Sequence, residues 1–292
     1  MAHGQPEKNN KMPDVNSTVT HEEEVRQGRR FAFGANWQAF LQSLTDERIR
    51  KAEVSLRTML QLDDLRGKTF IDIGSGSGLF SLAAANMGAQ VVSFDYDPQS
   101  IACTAELRER FHPQSPAWNV RPGSALDREF LATLGQFDLV YSWGVLHHTG
   151  QMWSALENAG QLVAPQGKLF IAIYNDQGRS SQFWRQIKRL YCGLPAALRW
   201  LVLLPCFARL WGPTLLRDLF WFPPLRTWRE YVRNRGMSPW RDVVDWVGGY
   251  PFEVAKPEEV LERVRSAGFE LTKMTTCGGG LGCNEYVFVK KS

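Results

Sequence analysis

The sequence has few cysteines, no long apolar run and little net charge. Five cysteines among 292 residues are too few for a disulfide scaffold and favour a reducing compartment. The longest apolar segment, 200–208, lies between two arginines and is about half of the ~18 residues that a membrane-spanning helix needs. The first residues lack the apolar core of a signal peptide. We therefore expect a soluble, cytoplasmic protein, with contact to a membrane surface as the alternative.

The bulk composition is that of a folded globular protein. Hydrophobic residues make up 44% of the chain and charged residues 22%, which excludes a mainly disordered chain. Neither the 25 glycines nor the 15 prolines recur with a period, which excludes a collagen-like fibre. The length suffices for one large α/β domain or two small domains.

The small net charge of +4 conceals one basic, aromatic segment. Residues 176–240 hold eleven Lys or Arg against three Asp or Glu, together with six of the eleven tryptophans. The remainder of the chain is therefore mildly acidic, and this segment stands out as a separate unit.

Short apolar strands alternate with helical patterns over much of the chain. Strands are predicted at 69–73, 90–94, around Val120, at 137–142, 168–174, 269–276 and 285–290, with helices at 79–87, 97–111, 152–162 and 256–267. Such alternation indicates parallel strands with helices on both faces, and the last two strands indicate an antiparallel hairpin at the sheet edge. We predict an α/β fold that is doubly wound around a seven-stranded, mostly parallel sheet.

The same pattern divides the chain into five segments. We expect a disordered tail over 1–24, a helical N-terminal cap over 25–64 and the α/β core over 65–175. A basic, aromatic helical insertion follows over 176–250, and residues 251–292 complete the core with a helix and a hairpin.

A glycine-rich turn follows the first strand, with the motif Asp72-x-Gly74-x-Gly76-x-Gly78. Ligands of parallel sheets bind beyond the carboxyl ends of the strands, where glycines let the backbone approach closely and the next helix presents unpaired N–H groups. Asp95 ends the second strand, where a carboxylate can accept hydrogen bonds from ribose hydroxyls. The turn therefore predicts a nucleoside-containing ligand.

Two cofactors compete for this turn. A nicotinamide dinucleotide, and with it an oxidoreductase, calls for G-x-G-x-x-G, whereas the third glycine here comes one residue early. A carboxylate at Asp72 would repel a pyrophosphate but suits a ligand that carries an ammonium and a sulfonium. The motif favours S-adenosylmethionine, and a structural role for Asp72 in bonding loop amides is the alternative.

Three segments together resemble the class I S-adenosylmethionine-dependent methyltransferases. These are FIDIGSGSG at 70–78, FDYD at 94–97 and FDLVYSWGVLHH at 137–148, and they are most similar to the branch that holds quinone and small-molecule methyltransferases. The resemblance covers residues 65–175 and implies the Rossmann-like methyltransferase fold. It is specific for cofactor and reaction type and says little about the substrate.

The resemblance also implies roles for residues at the matching positions. Asp72 and the turn would hold the methionine part of the cofactor, Asp95 the ribose, and Tyr96 the adenine. The complete implied cofactor site comprises Asp72, Gly74, Ser75, Gly76, Gly78, Asp95, Tyr96, Ser124, Ala125, Ser142 and Trp143.

Two adjacent histidines are the candidates for a general base. Methyl transfer to a heteroatom is an in-line displacement that requires alignment and exclusion of water but no metal. A hydroxyl acceptor would be helped by a base, and His147 and His148 follow the strand end at the predicted ligand edge. Adjacent side chains rarely point the same way, so at most one is expected to serve, and structural packing is the alternative for both.

The C-terminal loop 277–284 contains four glycines and should border the acceptor. Asn284 in this loop, Tyr174 and Asn175 at a neighbouring strand end, and Trp37 in the N-terminal cap are candidate substrate contacts. A flexible turn is the alternative for the loop. The Cys-x5-Cys spacing of its two cysteines is unusual for zinc, and we expect no metal site.

The insertion allows four interpretations. It can be a helical cap with core tryptophans, a lid around an apolar or anionic acceptor, a membrane-surface contact through 194–225, or a nucleic-acid contact, which is the least favoured. We expect a methyltransferase that acts on a small-molecule acceptor, with O-methylation favoured. The alternatives are a membrane-associated lipid or quinone acceptor and a non-catalytic subunit that binds S-adenosylmethionine.

Overall fold

A seven-stranded sheet organises the molecule in a computed structural model that describes residues 20–220, 226–235 and 238–291. The strands are β1 (Thr69–Ile73), β2 (Gln90–Asp95), β3 (Trp118–Pro122), β4 (Phe137–Trp143), β5 (Val163–Tyr174), β6 (Phe269–Thr275) and β7 (Cys283–Lys290). Their order is β3-β2-β1-β4-β5-β7-β6. The first five are parallel to one another, and β7 is antiparallel to both its neighbours. The predicted fold class is confirmed.

Helices cover both faces of the sheet because its central strands are apolar on both sides. The core helices are α4 (Leu79–Asn86), α5 (Pro98–Phe111), α6 (Arg128–Ala132), α7 (Met152–Gln161) and α12 (Pro257–Ser266). Within β1, Phe70 packs in one apolar cluster, and Ile71 and Ile73 pack in the cluster on the other face. Near-continuous apolar strands of this kind are expected where a parallel sheet is buried on both faces.

Three N-terminal helices precede the sheet: α1 (His21–Arg26), α2 (Gly34–Gln42) and α3 (Asp46–Leu60). The predicted cap is therefore helical, but α1 begins at His21, inside the segment predicted to be disordered. The Thr20 hydroxyl accepts a hydrogen bond from the Glu23 N–H and caps this helix. Residues 1–19 of the predicted tail lie outside the described residues.

The insertion is helical, as predicted, and has its own apolar cluster. It contains α8 (Arg179–Gly193), α9 (Trp200–Phe220), α10 (Arg226–Arg235) and α11 (Pro239–Gly248). Pro205 and Pro213 lie inside the continuous helix α9. No helix among the described residues is long and apolar enough to cross a membrane.

Candidate active site

A cavity of about 1130 Å³ lies beyond the carboxyl ends of the parallel strands. It begins at the glycine turn after β1, passes the ends of β2, β3 and β4, and continues to α9, α10 and α11 of the insertion. We call the part along the strand ends the cofactor half and the part along the insertion the acceptor half. One continuous space therefore joins the predicted nucleoside site to the insertion.

The glycine turn has a backbone that side chains would disturb. Gly74 has φ +77°, and a Cβ added there would lie 2.4 Å from a methyl carbon of Val145. Gly76 has φ +54°, and its added Cβ would lie 3.1 Å from the indole of Trp37. The turn is thus confined between Val145, which follows β4, and Trp37 of α2, which also lines the cavity.

Two carboxyl groups border the cofactor half. The Asp95 carboxylate accepts hydrogen bonds from the N–H groups of Gly76 and Asp97, both at 2.9 Å, which fixes its orientation. The Asp72 carboxylate accepts from the Ser81 hydroxyl at 2.5 Å. Burial raises the pKa of Asp95 to about 6 and that of Asp72 to about 7, with Asp95 adding repulsion to the latter. A cationic ligand would relieve this unfavourable burial of negative charge.

Of the two candidate bases, His148 lines the cavity. Its Nδ1 lies 2.7 Å from the Pro251 carbonyl, which only accepts, so the ring carries its proton on Nδ1 and Nε2 is an acceptor. Burial lowers its pKa to about 3, against a smaller opposite effect of the Pro251 hydrogen bond. The side chain is therefore a neutral imidazole.

His147 does not line the cavity. It is completely buried, and its ring centroid lies 4.0 Å from that of Tyr174. Burial holds the pKa of His147 well below its usual value. The two rings lie close together in a short 3-10 helix after β4, with centroids 4.5 Å apart, but His148 lines the cavity and His147 is packed behind it.

Comparisons with known proteins agree with this architecture. Residues 71–169 match the sequence model of a family described as a methyltransferase domain. Ubiquinone biosynthesis O-methyltransferases match in sequence. That of Rhodopseudomonas palustris is 26% identical over 158 residues, 54% of this chain and 56% of the relative. That of Azorhizobium caulinodans is 32% identical over 143 residues, 48% of this chain and 51% of the relative.

The chain spans about half the length of these curated relatives. An O-methyltransferase family protein from Burkholderia thailandensis shares the fold, with a TM-score of 0.52 at 13% identity over 94% of this chain and 64% of that chain. The core is a class I S-adenosylmethionine-dependent methyltransferase domain. Its cofactor is therefore S-adenosylmethionine, as the glycine turn predicted, and the dinucleotide alternative is set aside.

Most residues predicted to bind the cofactor line the cofactor half of the methyltransferase domain. These are Asp72, Gly74, Ser75, Gly76, Asp95, Tyr96, Ser124, Ala125 and Trp143. Gly78 and Ser142 do not line it. Gly78 is the N-cap of α4 and lies against Thr104, and the Ser142 hydroxyl donates to the Ile73 carbonyl at 3.1 Å. Successive side chains of β4 point to opposite faces of the sheet, which is why Trp143 lines the cavity and Ser142 does not.

The N-terminal helices contribute side chains that the sequence analysis missed. His21 meets the Tyr96 ring edge-on at 5.5 Å, and the Arg30 guanidinium lies 5.0 Å above the same ring. The Asp97 carboxylate accepts from the Gly34 N–H at 2.8 Å and ties α2 to the end of β2. Thr20 followed by three acidic residues was a helix-start signal that could have extended the cap to this region.

The acceptor half has an aromatic wall with two acids. Tyr174, Trp211, Tyr231 and Trp246 line it together with Asp242 and Asp245. The Tyr231 hydroxyl donates to the Asp242 carboxylate at 2.6 Å, and the Asn36 side-chain amide donates to Asp245. Burial raises the pKa of Asp245 to about 7. Among the predicted substrate contacts, Trp37 and Tyr174 do line the cavity.

Asn175 and Asn284 stabilise the C-terminal loop and do not line the cavity. The Asn284 amide donates to the Asn175 side-chain oxygen at 3.1 Å, and its own oxygen accepts from the Cys277 N–H at 3.1 Å. The loop itself borders the cavity through Cys277, Leu281 and neighbours. Within the described ranges, no group of three or more His, Cys, Asp or Glu side chains could hold a metal ion.

Proposed function

We propose that the protein transfers the methyl group of S-adenosylmethionine to an oxygen of a small apolar acceptor. The observation that carries this proposal is the continuous cavity, which joins the glycine turn to His148 and to the aromatic wall. A donor and an acceptor bound in the two halves would meet without crossing bulk water. Such sequestration and alignment are what a methyl displacement requires.

The chain's own residues fit the cofactor. The turn presents the backbone of Gly74 and Gly76 to the cavity, and two N–H groups fix the Asp95 carboxylate, which would accept hydrogen bonds from the ribose hydroxyls. Asp72 supplies negative charge for the methionine ammonium. When bound, the cofactor supplies a methyl group that the sulfonium has already activated.

His148 is the proposed general base, and His147 is not. The Pro251 carbonyl holds the His148 ring and would stabilise the imidazolium that forms. A pKa of about 3 makes this a weak base in the empty cavity. A weak base suffices, because a hydroxyl becomes strongly acidic once its oxygen begins to bond the incoming methyl carbon.

The lining of the acceptor half supports an apolar, aromatic acceptor. An anionic acceptor is not favoured, since Asp242 and Asp245 would repel it and the cavity's one Lys or Arg among the described residues, Arg30, bonds Glu24. The names of the relatives place them in ubiquinone biosynthesis, and a phenolic or quinol acceptor would suit this lining.

The test measures methyl transfer from labelled S-adenosylmethionine to a panel of phenols and quinols. We expect turnover with at least one of them, its loss in His148→Gln with unchanged cofactor affinity, and little change in His147→Gln. His112→Gln is the matched control, because this histidine bonds Asn86 far from the cavity. Full activity of His148→Gln would remove the base assignment, and cofactor binding without any turnover would favour a non-catalytic subunit.

We further propose that the protein is cytoplasmic and touches an anionic membrane surface through α9. Trp200, Leu204 and Phe220 are 54%, 48% and 85% exposed on this helix. Within described residues 179–220 the one acidic side chain, Asp218, is buried, whereas several arginines are exposed. Exposed aromatic and basic side chains suit the interface of an anionic bilayer. Residues 221–225 of the predicted contact lie outside the described residues.

Flotation with phosphatidylglycerol vesicles tests this contact. We expect binding that falls with salt and that Leu204→Ser weakens, whereas Val54→Ser, at a somewhat more exposed position on α3, leaves it unchanged. Absence of flotation at low salt would discard the contact without affecting the proposed reaction.

A further inference from the structure

We propose that the Tyr141 hydroxyl binds the carboxylate of the cofactor's methionine end. Tyr141 lies on β4, lines the cofactor half, and is only 3% exposed. Among the residues that the structure describes, its hydroxyl has no hydrogen-bond partner. A buried hydroxyl without a partner is costly, so a ligand that supplies the partner would be stabilised by it.

The sheet register places Tyr141 beside Asp72. The two residues are direct partners in the parallel β1–β4 ladder, so their side chains leave the sheet on the same face. The Tyr141 ring is stacked on Phe80 at 5.0 Å and packed edge-on against Phe170 at 5.1 Å. These contacts hold the hydroxyl at one position next to the carboxyl that suits the ammonium.

The methionine end carries a positive ammonium and a negative carboxylate. Asp72 supplies a negative charge that suits the ammonium but not the carboxylate. The carboxylate needs donors, and the one Lys or Arg among the described lining residues is Arg30. Its guanidinium already bonds the Glu24 carboxylate at 2.5 Å and the His148 carbonyl at 2.9 Å. The Tyr141 phenol is a neutral donor directly beside Asp72. Burial and the Asp72 charge keep the pKa of Tyr141 well above its usual value, so the donor proton is retained.

This inference rests on the proposed function only in taking S-adenosylmethionine as the ligand. Its test compares S-adenosylmethionine with decarboxylated S-adenosylmethionine, which keeps the ammonium and the sulfonium, by calorimetric titration of the full chain. We expect Tyr141→Phe to lose about ten- to a hundredfold in affinity for S-adenosylmethionine, the usual effect of a hydrogen bond to a charged group, and to keep its affinity for the decarboxylated ligand.

Tyr286→Phe is the matched control. Tyr286 is completely buried in the apolar cluster on the other face of the sheet, and it does not line the cavity. Both variants keep the buried aromatic ring and should remain folded, which a melting curve of each checks.

Several results would overturn the inference. An equal loss for both ligands would mean that Tyr141 supports Asp72 or the ammonium. No loss would mean that the hydroxyl makes no contact. Equal affinity of the unaltered protein for the two ligands would show, without any variant, that the carboxylate is not recognised. Failure of the unaltered protein to bind either ligand would instead remove the cofactor assignment itself.

Discussion

The affinity for S-adenosylmethionine should rise between pH 5 and pH 7, because Asp72 must lose its proton to attract the ammonium and Asp95 must lose its proton to accept hydrogen bonds from the ribose. Burial raises the pKa of Asp72 to about 7 and that of Asp95 to about 6. Over this range the ionised fraction of a group with a pKa of about 7 rises about fiftyfold. We expect a gain in affinity of at least about tenfold, since each pKa unit is worth about 1.4 kcal/mol.

Calorimetric titration measures both the affinity and the protons released. Binding at pH 6 should release protons, seen as a heat that depends on the ionisation enthalpy of the buffer. The titrations stop at pH 7, because the amino group of S-adenosylmethionine itself begins to lose its proton at higher pH. Asp72→Asn should bind more weakly at pH 7 and show a flatter pH profile. An affinity that stays constant from pH 5 to pH 7, with no proton release, would refute the reasoning.

Three further outcomes are expected from single substitutions. Gly74→Ala should weaken cofactor binding by about 2 kcal/mol or more in the same titration, because its φ is +77° and the new Cβ would meet Val145; unchanged affinity would contradict the confined turn. Asp245→Asn should raise the melting temperature more at pH 7 than at pH 4. The native pKa of Asp245, about 7, lies above the unfolded value, so the stability that the protonated carboxyl contributes at low pH is lost as the pH rises to 7. A substitution effect of equal size at both pH values would contradict this reasoning. Asn284→Ala should lower stability by about 1–2 kcal/mol in chemical denaturation, because it removes two hydrogen bonds that this buried side chain makes to half-buried partners on Asn175 and Cys277; a neutral result would show that the loop is held by other contacts.

The core and the cofactor turn could be predicted from sequence because both depend on local signals. Alternating apolar segments indicate buried parallel strands, and the motif around Gly74 combines glycines with acids at fixed positions after two strands. The choice between His147 and His148 could not be predicted in this way. It depends on a short 3-10 turn and on the Pro251 carbonyl, about a hundred residues away in sequence.

Other parts of the site depend on contacts between distant segments. His21 meets Tyr96 because α1 folds over the end of β2, and a polar N-terminus gives little indication of such packing. The missing hydrogen-bond partner of Tyr141 cannot be recognised without coordinates, because a tyrosine in an apolar strand usually indicates core packing alone.

The charge of the insertion shows why composition can mislead about a binding site. A segment with a large excess of Lys and Arg suggests an anionic acceptor, yet none of its described basic side chains lines the cavity. Lys188 is completely buried against the Trp246 ring, at 4.1 Å, whereas Asp242 and Asp245 line the acceptor half. Basic side chains on the solvated side of a helix stay hydrated and carry no desolvation cost. The side chains on the inner side are the ones that lose water together with the ligand. The charge that the acceptor can carry must therefore be inferred from the two aspartates on one face of α11. The net positive charge of the insertion, which carries these aspartates, is not a guide to it.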